Sequence, residues 1–389
     1  MAVSTSVFTC YLKKLMIRAL LKRIRNFFYS WFRPGKLKVF KKARSASGRV
    51  EPYVTRSNLN PLLEPTGYGW EAQGVLNPAA ICLDGKVHLL YRAVGSDGMS
   101  TIGYACSSDG LNFEERLPYP VYWPRESFES TSLAGPKTFA PATYTSGGGW
   151  AGCEDPKICQ IGDRLFLTYV AFGGWESVRI ALSSIAVEDF LNRKWRWTKP
   201  VLCTKPGVIA KSGGLFPGKI NGRYVFFQRV FPNILIDYLD HLRFDEDKWP
   251  AGEFAIAPQV SGWDSRKISF GSVPLKTKYG WLVITHGVDD QNDGQYHLGA
   301  MLLDLNQPER VLYRSREPLL SPDLWYENDW KPGVVYPCGA VVKDRTLFIY
   351  YGGGDKYVCA ASAPFEQFMN SLRSDEHLPP LKINRLAYK

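Results

Sequence analysis

No Asn-x-Ser/Thr sequon occurs in the 389 residues, and the eight cysteines (Cys10, Cys82, Cys106, Cys153, Cys159, Cys203, Cys338, Cys359) lack the paired short spacings of zinc sites. Scattered through apolar runs, they read as buried free thiols and agree with a reducing, cytosolic compartment. No apolar stretch reaches the roughly 18–20 residues of a membrane span, which excludes a polytopic membrane protein. Acidic residues are missing altogether from residues 1–50, where 13 Lys and Arg stand. The rest of the chain holds 35 basic against 37 acidic residues, so the net charge of +11 belongs to the N-terminal extension. The body therefore offers no basic footprint for nucleic acid.

What is present points to strands. Gly 35, Pro 26 and 14% aromatics describe many short strands joined by tight turns, because aromatic side chains favour pleated surfaces and Gly and Pro punctuate them. In the extension, Leu12, Met16, Leu20, Ile24, Phe27 and Trp31 recur at helical spacing, and Lys14, Arg18, Lys22 and Arg25 mark another face. Residues 11–33 are thus expected to form a basic amphipathic helix that contacts an anionic membrane surface. An organelle presequence and a solvated tail are the competing readings. Residues 1–49 are expected as helix and linker, and residues 50–389 as one domain.

That domain repeats. An X-Pro step, a strand, a turn and a second apolar strand recur five times: Asn77-Pro78 to Arg92, Asp155-Pro156 to Val170, Phe216-Pro217 to Arg229, Val273-Pro274 to His286, and Tyr336-Pro337 to Gly352. The prolines are 78, 61, 57 and 63 residues apart, and a third strand follows each pair (102–106, 180–185, 234–238, 298–303, 358–361). Four-stranded units repeated radially predict an all-β, five-bladed β-propeller with the helical extension before it, two sandwich domains being the alternative. Ring closure would gather the residues before the prolines, Asn77, Asp155, Phe216, Val273 and Tyr336, around a central funnel. Arg92, Arg229 and His286 would join them from the second strands.

An acid and several cations in one funnel suit attack on a glycosidic bond by an anion. A carboxyl group protonates the leaving oxygen, and phosphate needs cations to hold it but no general base. Inverting hydrolysis would instead need a second carboxylate about 6.5–9.5 Å away. Taken singly, the pair favours Asp155 as a turn residue before proline with Arg92 as its ion-pair partner, and it is the convergence of several such groups that points to a site.

Five segments carry a resemblance over residues 65–370: Asn77-Pro78-Ala79 with Tyr91-Arg92-Ala93; Glu154-Asp155-Pro156-Lys157-Ile158; Leu215-Phe216-Pro217 with Arg229; Pro274-Leu275-Lys276-Thr277 with Gly280-Trp281-Leu282 and His286-Gly287-Val288; and Tyr350-Tyr351-Gly352 with Asp355. In this order they resemble glycoside hydrolase family 130, the inverting β-mannoside phosphorylases and related β-mannosidases. The resemblance implies a five-bladed propeller and a single catalytic acid, Asp155, whose proton passes through a hydroxyl of the bound mannosyl unit. It also implies sugar contacts from Asn77, Arg92 and Asp355, with Tyr336 beside them in the expected ring, and a phosphate cradle of Lys211, Arg229, Lys267 and His286. Lys211-Ser212 stands where Arg-Asn is usual, and Gln228 and Thr285 replace commoner His and Tyr.

The expected activity is phosphorolysis or synthesis of a β-mannoside through α-mannose 1-phosphate, with inorganic phosphate as co-substrate and no metal or organic cofactor. A β-mannosidase and a non-catalytic glycan-binding propeller are the alternatives, and a homo-oligomer is left open. Residues 130–149, rich in Ser, Thr, Gly and Pro, are expected to form a long loop over the acceptor side.

Overall fold

The computed structural model describes residues 53–130, 146–175, 177–244 and 249–373. The expected amphipathic helix, its linker, Cys10 and most of the 130–149 loop lie outside these residues. The described chain is nearly all β, with two short α-helices, Val187–Leu191 and Phe365–Arg373.

Five groups of antiparallel strands follow one another. The first comprises Gly74–Leu83, Lys86–Val94, Met99–Ser107 and Glu115–Arg116. The second comprises Ala151–Ile161, Arg164–Phe172, Val178–Ala186 and Val201–Leu202. Ala210–Leu215, Tyr224–Val230, Asn233–Leu239 and Phe254–Ile256 make the third. In the fourth, two short segments, Lys267–Phe270 and Leu275–Thr277, both pair with Gly280–Val288, followed by Tyr296–Leu303 and Val311–Arg314. The fifth, Val335–Lys343, Thr346–Gly353 and Tyr357–Pro364, takes its fourth strand from the start of the domain, where Thr55–Arg56 pairs with Ala361 and Ser362.

The sequence explains these elements. Asp84-Gly85, with φ of +47° and +70°, makes the two-residue turn that twists in the sense the flanking strands require. Leu89, Leu90 and Tyr91 are all fully buried, a continuous apolar run and not an alternation, because both faces of the second strand are covered. A short parallel pairing, Met99 to Ala151 and Ser100 to Gly152, joins the first two groups. Gly152 has φ +113°, and a Cβ there would collide with the Ser100 backbone, so this junction requires glycine.

The core is divided among five hydrophobic clusters, each shared by two groups. One joins the first and second groups, one the second and third, one the third and fourth, one the fourth and fifth, and one the fifth and first. Six of the seven described cysteines are buried and all are free; Cys82 is exposed.

The expected ring of residues before proline is corrected at two positions. In the first two groups the proline lies inside the first strand, but Phe216-Pro217 follows the end of its strand and Val273-Pro274 lies between the two segments of the fourth group. Phe216 is fully buried against Phe227, Phe270 and Trp281 in the apolar core, and Val273 packs against another cluster. The third-group counterpart of Asn77-Pro78 is Ser212-Gly213, because the pairing jumps there as it does at Asn77 and Asp155.

Candidate active site

Bulges in the first strands set the site. Pairing skips Asn77-Pro78 opposite Tyr91, Asp155-Pro156 opposite Tyr169, and Ser212-Gly213 opposite Gln228. Asn77, Asp155 and Ser212 occupy the left-handed region, with φ of +48°, +49° and +51°, and the bulge re-aims each side chain out of the strand's alternation. Asp355, at φ +51°, is turned the same way beyond the end of Thr346–Gly353.

These elements surround a cavity that opens to solvent, with about 460 Å³ of empty space when its open mouth is included. All nine residues singled out from the sequence line it: Asn77, Arg92, Asp155, Lys211, Arg229, Lys267, His286, Tyr336 and Asp355. Ser146, Gly147, Tyr296, Lys331 and Val334 complete the lining. Ser146 and Gly147, at the end of the expected loop, thus reach the cavity.

On one wall, Asn77 Nδ2 donates to Asp155 Oδ1 at 2.7 Å, and Arg92 Nη1 lies 3.5 Å from the same oxygen. Arg92, almost wholly buried, also donates to Ser100 Oγ at 3.0 Å, the Ser146 carbonyl at 2.8 Å and Glu154 Oε1 at 2.9 Å. Burial pushes the Asp155 carboxyl up, but Arg92, Lys211, the Asn77 hydrogen bond and Lys157 outweigh it and hold the group below its ordinary value. Gly352 borders this wall: a Cβ there would run into the Asn77 side chain.

The rest of the lining, a second wall, is cationic. Lys211 Nζ donates to Ser146 Oγ at 2.7 Å and pairs with Glu154 Oε2 at 3.3 Å. Lys267 Nζ donates to the Tyr296 hydroxyl at 2.7 Å. Burial, with Arg229 and Lys331 nearby, lowers the Lys267 pKa. Burial would raise Tyr296, but Lys267 and Lys331 bring it down. The His286 ring lies 4.1 Å from the Tyr336 ring, centroid to centroid, and Tyr336 exchanges a hydrogen bond of 3.0 Å with Ser212 Oγ. Burial and then Lys157, Lys267 and Arg229 push His286 well below its ordinary pKa, so it is uncharged at neutral pH in the unliganded protein. The cradle expected from sequence therefore brings Lys211, Arg229 and Lys267 together with one neutral imidazole. Arg229 Nε and His286 Nδ1 are buried with no hydrogen-bond partner among the described residues. The buried Arg229 Nε–H calls for a ligand that accepts from it, and the imidazole nitrogen for a hydrogen-bond partner.

Ion pairs join the two walls. Glu154 sits between Arg92 and Lys211, and Lys331 Nζ pairs with Asp355 Oδ2 at 2.9 Å while lying 5.4 Å from the centre of the Tyr296 ring. Sequence reasoning assigned no role to Glu154, Ser146, Tyr296 or Lys331. Tyr296 could have been found by strand register, since it pairs with Val288, the partner of Lys267. Lys331 lies in a connection, where no periodicity marks it. Among the described residues no three His, Cys, Asp or Glu side chains stand together as a metal site requires.

A family model described as beta-1,4-mannooligosaccharide phosphorylase matches residues 55–374. A 1,2-beta-oligomannan phosphorylase from Thermoanaerobacter sp. (strain X514) is 36% identical over 319 residues, covering 79% of this chain and 96% of the relative. A beta-1,2-mannobiose phosphorylase of the same strain is 34% identical over 326 residues, with the same coverage. In fold, the chain resembles the beta-1,2-mannobiose phosphorylase of Listeria innocua solved with beta-1,2-mannobiose, at a TM-score of 0.63 and 23% identity over 83% of this chain and 99% of that one. The match along nearly the whole described domain, in the segments that build the cavity, places the chain in glycoside hydrolase family 130.

Proposed function

We propose that the chain is an inverting β-mannoside phosphorylase acting on β-1,2 linkages. The observation that carries this reading is one bulge-mounted carboxyl group lining the same cavity as Lys211, Arg229, Lys267 and His286, where Arg229 Nε and His286 Nδ1 lack partners among the described residues. The linkage rests on relatives above 30% identity, at 36%, 34% and 32%, that are named for β-1,2 substrates.

In this reading the cationic wall holds phosphate with an oxygen directed at C1 of the terminal β-mannosyl unit. Attack forms the new C1–O bond on the α face while the glycosidic C1–O bond breaks on the other. Asp155 is the source of the proton that the departing oxygen takes up, and the products are α-mannose 1-phosphate and an acceptor one unit shorter. Asn77, Arg92, Tyr336 and Asp355 hold the mannosyl unit. Asp155 is ionised in the unliganded protein, so it takes up a proton from solvent when substrates bind, and hydrogen phosphate releases one on becoming the ester, which closes the balance. A bound phosphate dianion offsets the cations that depress its pKa.

The five strand groups are read here as the blades of a five-bladed β-propeller comprising residues 50–389. Five core clusters between consecutive groups, including the fifth with the first, support this reading, as does completion of the fifth group by Thr55–Arg56.

Incubation of the full-length protein with β-1,2- and β-1,4-mannobiose, with and without phosphate, tests the proposal. Mannose 1-phosphate formed only with phosphate, and faster from the β-1,2 substrate, is the expected result. Free mannose formed without phosphate would overturn it in favour of hydrolysis, and absence of any product in favour of a glycan-binding protein.

A further inference from the structure

Three of the five strand groups contain the same buried device. In the first, Glu71 ends a short 3-10 turn, Gly69–Glu71, and accepts from the Tyr91 hydroxyl at 2.9 Å. In the second, Glu129 ends the turn Ser127–Glu129 and accepts from the Tyr169 hydroxyl. In the fifth, Glu327 ends the turn Trp325–Glu327 and accepts from the Tyr351 hydroxyl at 2.9 Å. All three glutamates are fully buried, and the tyrosines are at most 1% exposed.

Each tyrosine stands where its first strand bulges. Tyr91 faces Asn77-Pro78, Tyr169 faces Asp155-Pro156, and Tyr351 pairs with Pro337, next to Cys338, where the fifth group's register shifts. The glutamates are themselves held. Arg116 and Arg56, from fourth strands, pair with Glu71 and Glu327 at 2.7 Å, and the Arg125 and Glu126 amides both donate to Glu129 Oε2 at 2.7 Å.

The other two groups have lost the anchor. Gln228 and Thr285 occupy the tyrosine position, and Gln228 Oε1 and Thr285 Oγ1 are buried without a hydrogen-bond partner among the described residues. The fourth group keeps an acid, Asp264, but it pairs with the fourth-strand Arg314. This division coincides with the chemistry of the cavity. Asn77, Arg92, Asp155, Tyr336 and Asp355 belong to the anchored groups, and Lys211, Arg229, Lys267 and His286 to the unanchored ones.

We infer that the glutamate–tyrosine anchors fix the bulges of the sugar-and-acid wall, making Glu129 and Tyr169 positioning residues for Asp155, while the phosphate wall is built without them. A bulged backbone in the left-handed region has no ladder bond to hold it. A hydroxyl pinned to a buried carboxylate supplies the constraint from the facing strand. The inference rests on the assignment of Asp155 as the acid, and its test separates the two.

Tyr169→Phe removes only the hydroxyl. Tyr104→Phe is the control, since it removes an equally buried hydroxyl bonded to His88 at 2.7 Å in the neighbouring group, away from the cavity. Both variants should lower Tm, but only Tyr169→Phe should lower kcat, by tenfold or more, with the KM for phosphate changed less than twofold. Glu129→Gln, which retains an acceptor for Tyr169, should keep more activity than Glu129→Ala. Amide hydrogen exchange across Ala151–Ile161 should accelerate in Tyr169→Phe and not in Tyr104→Phe, a readout that needs no turnover. Unchanged exchange in that strand, or a Tyr169→Phe kcat within twofold of wild type, would overturn the anchor. Faster exchange with wild-type kcat would overturn the positioning role alone, because Asp155 as the acid is tested separately by Asp155→Asn.

Discussion

Replacing Asp155 by Asn isolates the proton from everything else the carboxylate does. The side-chain volume is nearly unchanged, and the amide oxygen can still accept the 2.7 Å bond from Asn77. Arg92 loses a partner at 3.5 Å but keeps Glu154, Ser100 and the Ser146 carbonyl, so no charge is stranded in the interior. Stability should therefore shift by no more than about 1 kcal/mol, the scale of one ordinary hydrogen bond. Activity should respond differently. Losing a general acid removes roughly 10²–10⁴ in rate, or about 3–5 kcal/mol of transition-state stabilisation.

The assay is release of mannose 1-phosphate from β-1,2-mannobiose at saturating phosphate, repeated with p-nitrophenyl β-mannoside. A nitrophenolate leaves without being protonated, so the same variant should lose much less rate on it. Two outcomes would refute the assignment: Asp155→Asn within tenfold of wild type on mannobiose, or an equal loss on both substrates. The first would show that the proton comes from elsewhere, and the second that the carboxylate serves geometry or charge.

Lys267→Ala should raise the KM for phosphate tenfold or more with little change in the KM for mannoside, measured by varying each at saturation of the other; an unaltered phosphate KM would remove Lys267 from the cradle. His286 should make the unliganded protein less stable in mild acid. Its folded pKa lies well below the ordinary 6.5, so the unfolded chain binds the proton first, and stability is full above about pH 6.5 and falls as pH drops below it. His286→Asn should flatten that part of the pH–Tm curve, and an unchanged slope would contradict the buried neutral imidazole. Gly352→Ala would drive a methyl into Asn77, so a loss of roughly 1–3 kcal/mol from overpacking and a raised KM for mannoside are expected, checked by thermal unfolding and initial rates. Wild-type values for both would mean that Asn77 can move aside.

The site was legible in the sequence to different depths because different physics writes it. Asn77-Pro78 and Asp155-Pro156 announced themselves as a polar residue and a proline inside an apolar strand, a combination a regular ladder rejects and a bulge accommodates. The same logic failed at Phe216-Pro217 and Val273-Pro274, where the proline lies outside the strand and the preceding residue is core. In the third group Gly213 takes the place of proline in the bulge, and glycine among small residues gives no such signal. Arg92, Arg229 and His286 were visible as charge at the end of apolar second strands. Glu154 was hidden by its neighbour, since alternation would send it away from Asp155, and only the bulge lets both carboxylates meet Arg92. Lys331, Ser146 and the three anchoring glutamates lie in connections and short turns, where position is set by tertiary packing and not by period. Yet Gly69-Trp70-Glu71, Ser127-Phe128-Glu129 and Trp325-Tyr326-Glu327 share an aromatic residue followed by Glu, each before the first strand of its group. Burial of all three glutamates on tyrosines makes that short pattern a second internal repeat, one that separates the anchored groups from the others.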